Sequence, residues 1–133
     1  MGVHLEWDEH IQVATIRVEM RWTWEEYQAV TDNAFGQIAA LNYPVAIIAD
    51  IARMGPLPKG NFLRHLQYAA EHTPKNVYAT VLVGAPYVVT TFLNVVMKVR
   101  PNPTASVLFA SSVDEAKKLI QQHHQGSFQG KVV

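Results

Sequence analysis

The sequence predicts a single α/β domain with a mostly parallel sheet, and three observations lead there. Strand-like and helix-like runs alternate along the chain. Two of the strand runs, at 45–49 and 77–83, are apolar on both faces, as buried parallel strands are. Helical runs are bounded by capping residues, Pro or Gly. The 133 residues fit one domain, and 49% apolar against 17% charged residues can build a core. Cysteine is absent, which excludes disulfides and thiolate metal sites. Eleven Lys and Arg balance eleven Asp and Glu, so no excess positive charge holds a nucleic-acid backbone or an anionic membrane.

Val3, Leu5 and Trp7 alternate with His4, Glu6 and Asp8, the period of an edge strand with one dry face. Residues 11–20 are rich in β-branched side chains and make a second strand, joined to the first as an antiparallel hairpin. Thr23 and Glu26 form a capping-box pair, and Trp24, Tyr27, Val30, Ala34, Phe35, Ile38 and Leu41 line one side of the helix that follows. Residues 45–49 form a central strand closed by Asp50. Gly55, Pro56 and Pro58 make 51–59 a loop, and 61–72 a second helix. A strand at 77–83 stops at Gly84, Pro86 starts a third helix running to about Arg100, and 104–110 is the last strand. Ser112 and Glu115 are a second capping-box pair, opening a helix that ends near Gln125. The predicted order is β-β-α-β-α-β-α-β-α over 1–133, with a core at about 3–125 and an irregular tail at 126–133. Only the first strand runs antiparallel, at an edge.

Several chemistries lack their residues. Gly55 and Gly60 have P-loop separation, but Lys59 precedes the second glycine and no hydroxyl follows. A hydrolase elbow Gly-x-Ser-x-Gly is missing, and Ser111 and Ser112 read as capping residues. His4, His10, His65, His72, His123 and His124 show no metal-ligand spacing and read as surface histidines. Trp7, Trp22, Trp24 and Tyr27 read as core and rim packing, because Glu19, Glu25 and Glu26 offset the nearby Arg17 and Arg21. No catalytic residue, metal or cofactor is therefore expected. The first residues lack the basic and apolar regions of a signal peptide, and the apolar stretch 78–99 is interrupted by Pro86. A cytoplasmic protein without a membrane span is expected.

A hairpin, a helix opening Thr23-Trp24-Glu25-Glu26, a strand ending in Asp50, a Pro/Gly-rich loop and a final helix start Ser112-Val113-Asp114-Glu115-Ala116 together resemble the STAS domain. The likeness covers about residues 3–125 and is nearest to stand-alone SpoIIAA-like proteins, similar to bacterial anti-sigma-factor antagonists. It implies a β-α superhelix, no cofactor, and a regulatory task carried out by docking on a protein partner. Sec14-like lipid-binding proteins are a more distant analogue. The family's phosphorylatable Ser or Thr would fall in 51–62, where this chain has neither, so the phospho-switch does not carry over.

Two surfaces are predicted. Ligands of parallel sheets collect beyond the carboxyl ends of the strands, which selects Asp50, Arg53, Lys59 and Asn61 as a docking or ligand surface. Asp50 has the alternative of bracing its own loop. In helix 86–100, apolar residues wrap about 200° where a core-facing stripe needs little over 100°. Leu93 and Met97 are the predicted excess edge, covered by the tail, by an apolar small molecule or by a second copy in a homodimer. The resulting expectation is a non-enzymatic regulatory or scaffold domain acting on a protein partner. The alternatives are a small-molecule or lipid-binding module and, third, an enzyme whose dyad is distant in sequence.

Overall fold

β1 (Val3–Asp8) and β2 (Val13–Glu19) pair antiparallel, from Val3 opposite Val18 to Asp8 opposite Val13. β3 (Val45–Arg53), β4 (Val77–Val83) and β5 (Ser106–Ala110) then add in parallel, in the order β1-β2-β3-β4-β5. Among the described residues, four helices complete the domain: α1 (Trp24–Ala39), α2 (Phe62–His72), α3 (Tyr87–Val99) and α4 (Val113–Val132). The computed structural model describes residues 2–99 and 106–132, without the side chains of 96, 97, 99 and 123–132. Among the described residues no helix is long and apolar enough to cross a membrane.

Strand order dictates where the helices go. Each parallel crossover steps to the next strand in the same direction, and right-handed crossovers then all fall on one face. Phe35 and Ile38 of α1 and Val89 of α3 accordingly pack with Ile16, Ile47 and Leu82. α4 follows the last strand and returns over the opposite face, where Ala116 and Ile120 meet Ile48, Val81 and Val83. Beyond the reach of α4, that face is polar, with Arg17 paired to Glu6 across the hairpin and to Glu19 along its own strand.

Three helices on one face create a conflict of widths. Crossovers between neighbouring strands are centred about 4.8 Å apart, whereas packed helices need about 8–10 Å. α1 packs on the sheet, and α2 does not fit flat beside it. α1 sits out over β1 and β2, where the Trp7 indole donates to Gln37 Oε1 at 2.8 Å. α2 rests chiefly on α1 and α3, and none of its residues is buried.

Three expectations are corrected. β3 runs to Arg53 rather than closing at Asp50, because Arg53 still finds Glu19 of β2 as a partner beyond a register shift. The predicted irregular tail is helical to Val132, since no Pro interrupts it and a Gly costs a helix only about 1 kcal/mol. Both capping boxes are half-made. Thr23 Oγ1 accepts from Glu26 N at 3.1 Å, but the Glu26 carboxylate takes the Gly2 N–H instead of that of Thr23. Ser112 Oγ accepts from Glu115 N at 3.1 Å, while the Glu115 carboxylate accepts from Ser111 Oγ at 2.8 Å. In each case the glutamate reaches a donor preceding the cap residue.

Candidate functional site

The stand-off of α2 leaves a cavity of about 180 Å³ between helix and sheet. Ile47 and Ala49 of β3 and Leu82 of β4 form its floor, and Leu66, Ala69 and Ala70 of α2 form its roof. Small side chains face one another at Ala49, Ala69 and Ala70, which is why the gap is not filled from within. Tyr27 and Thr31 of α1 close one side, Val89 and Leu93 of α3 the other. An apolar cavity of about 150 Å³ already admits benzene.

Aromatic side chains build the rim. Trp22 and Trp24 meet edge to face with centroids 4.7 Å apart, and Tyr27 lies 5.8 Å from Trp24. The indoles also hold the 54–61 loop: Trp22 Nε1 donates to Met54 O at 2.9 Å and Trp24 Nε1 to Pro58 O at 3.2 Å. Gly60 passes directly beneath Trp24 with φ +139, and a Cβ there would lie 3.0 Å from the ring. α2 is tied down at its edges, by His65 stacked on Trp24, by Phe62 against Phe92, and by the Tyr68 hydroxyl donating to Asp32 Oδ1 at 3.1 Å.

Among the described residues lining the cavity, Tyr27 and His65 are the titratable groups. Burial pushes the Tyr27 hydroxyl above its ordinary pKa, and the neighbouring Thr31 hydroxyl offsets this only in part. The interior therefore disfavours charge.

The predicted docking surface is split by the fold. Asp50 and Arg53 come together with Arg17, Ser111 and Ser112 around an open depression of about 300 Å³ at the carboxyl ends of the strands. Asp50 also braces its own chain, its Oδ1 accepting from Ala52 N at 3.3 Å. Lys59 and Asn61 lie outside this depression, at the entry to α2, where Asn61 Oδ1 accepts from Arg64 N at 3.0 Å and caps the helix.

Of the predicted apolar edge of α3, Leu93 lines the cavity. That side chain is half-buried and packs inward, continuing the line of the buried Val89 one turn earlier. Among the described residues of the helix, Tyr87, Val88 and Val95 are the exposed apolar ones, together with the partly covered Phe92. The apolar arc was wide enough to allow either phase, and contact with α2 selected this one. The Met97 side chain lies outside the described residues.

Sequence reasoning missed Thr31. It falls four residues after Tyr27 and four before Phe35, so it interrupts the apolar stripe of α1 at its centre. That interruption was the available signal. No protein-family model matches the chain, and no curated protein matches it.

Proposed function

We propose that the protein binds a small, largely apolar molecule in the cavity beneath α2, within a cytoplasmic β-α superhelix of the SpoIIAA-like kind, and catalyses no reaction on it. The observation that carries this reading is an apolar space of about 180 Å³ between a sheet face and a helix with no buried residue. Toluene is a suitable probe, titrated against protein labelled at its methyl groups. Methyl resonances of Ile47, Leu66, Leu82 and Leu93 should shift together and saturate. If they stay in place up to the solubility of toluene, the cavity is not a binding site.

A second reading, docking of a protein partner, is supported by the depression that joins Asp50 and Arg53 to Ser111 and Ser112. Partners recovered by affinity capture should be lost with Asp50→Ala and Arg53→Glu; equal recovery with both variants removes this surface. A homodimer through helix 86–100 rests on the exposed Tyr87, Val88 and Val95. Sedimentation as a monomer at micromolar concentration would end that idea.

A further inference from the structure

Hydroxyl groups in helices of this protein ordinarily find a backbone acceptor one turn back. Thr90 Oγ1 donates to Pro86 O at 3.4 Å and Thr91 Oγ1 to Tyr87 O at 2.9 Å. At the end of α2, Thr73 Oγ1 donates to Ala69 O at 2.7 Å. Thr31 differs. It is 3% exposed, lines the cavity, and its Oγ1 has no hydrogen-bond partner among the described residues. The Tyr27 hydroxyl is close enough to feel it, but not at bonding geometry.

A buried hydroxyl without a partner is unfavourable, and the local remedy of bonding back along the helix is not taken here. A polar atom placed in the cavity would supply the partner. We infer that the ligand of this cavity is an apolar ring or short chain bearing one neutral hydroxyl or carbonyl group, and that Thr31 Oγ1 is the anchor for that group. The inference rests on the cavity being a binding site and adds the chemistry of the occupant. A neutral head group follows from the walls: a carboxylate would find no Lys or Arg among the residues lining the cavity. A hydroxyl or carbonyl loses less on leaving water and can exchange a hydrogen bond with Thr31.

Phenol and toluene have nearly the same shape and differ in one hydroxyl. Their dissociation constants are measured by methyl-shift titration for the wild type and for Thr31→Val, which keeps the side-chain shape and removes the oxygen. The ratio of the phenol constant to the toluene constant should rise about threefold to tenfold in Thr31→Val, the usual worth of one hydrogen bond. Toluene binding should be unchanged or tighter. If both compounds bind and the ratio is the same in both proteins, Thr31 is not the anchor, while the cavity remains a binding site. If neither compound binds the wild type, the cavity reading fails and this inference fails with it. The melting temperature of unliganded Thr31→Val should equal or exceed that of the wild type; a lower value would show that the hydroxyl already has a partner in the unliganded protein, and would overturn the inference.

Discussion

The Trp24 indole lies flat on the His65 imidazole, with ring centroids 4.2 Å apart and planes 5° from parallel, so that α1 and α2 touch through two rings at the rim of the cavity. The same indole hydrogen-bonds Pro58 O, which links the contact to the loop that leads into α2. Helix contact, loop contact and cavity rim thus meet at one side chain.

Substitution at Trp24 should separate these roles. Trp24→Phe keeps a ring against His65 and loses the N–H donor, at a cost of about 1 kcal/mol. Trp24→Ala loses the ring as well and should cost about 3 kcal/mol, the low end for a large aromatic because Trp24 is only half-buried. Urea unfolding of both variants checks the order. Equal losses would mean that the stacking carries no weight.

Filling the cavity should stabilise the unliganded protein while excluding a ligand. Ala69→Leu adds three carbons to the roof, and burying them should contribute about 1–2 kcal/mol. Thermal unfolding should show a higher midpoint, and toluene should no longer shift the Ile47 and Leu82 methyl signals. A lower midpoint would indicate that α2 already packs as closely as it can.

Two glycines should respond in opposite directions to alanine. Gly36 is exposed on α1 and a Cβ there meets nothing within 4 Å, so Gly36→Ala should gain about 0.5–1 kcal/mol from helix propensity. Gly84 has φ +68, and its added Cβ would lie 2.5 Å from Ala52 Cβ, so Gly84→Ala should lose about 2–4 kcal/mol from backbone strain and overpacking. Denaturant midpoints of the two proteins should fall on either side of the wild type.

Asp8 should titrate below its ordinary value of 3.8. Partial desolvation pushes its pKa upward, but the Lys117 ammonium at 3.3 Å and the N–H groups of Ile11 and His10 outweigh it. A carboxylate depressed in the folded state adds stability at pH values above the unfolded pKa, and that stability is lost as pH falls through the folded pKa. Lys117→Met should therefore raise the Asp8 pKa toward 3.8, read from its side-chain carboxyl carbon by NMR. An unmoved titration would show that the backbone donors alone hold it down.

Local signals in the sequence determined the elements and most of their order. Alternation marked β1, the doubly apolar runs marked β3 and β4, and Thr23, Asn61 and Ser112 marked helix starts that the structure confirms as caps. Such signals are legible because neighbours a few residues apart produce them. The parallel sheet with one antiparallel edge followed from the same order, through the handedness of crossovers. Asp50 was placed at a strand end because the apolar run stops there, whereas Arg53, read as part of the loop, belongs to β3.

The cavity had no such signature, because residues from β2 to β5 and from three helices enclose it. Its existence depends on a mismatch between strand spacing and helix width, which lifts α2 off the sheet, and on Ala49, Ala69 and Ala70 meeting across the gap. None of the three is unusual in its own segment. The phase of α3 was likewise decided by tertiary contact: an arc of about 200° permits Leu93 to face inward or outward, and packing turned it toward the cavity. Thr31 shows the same division. A hydroxyl at the centre of the α1 stripe was visible in the sequence, but its lack of a partner is a property of the space around it, which three helices and a sheet define together.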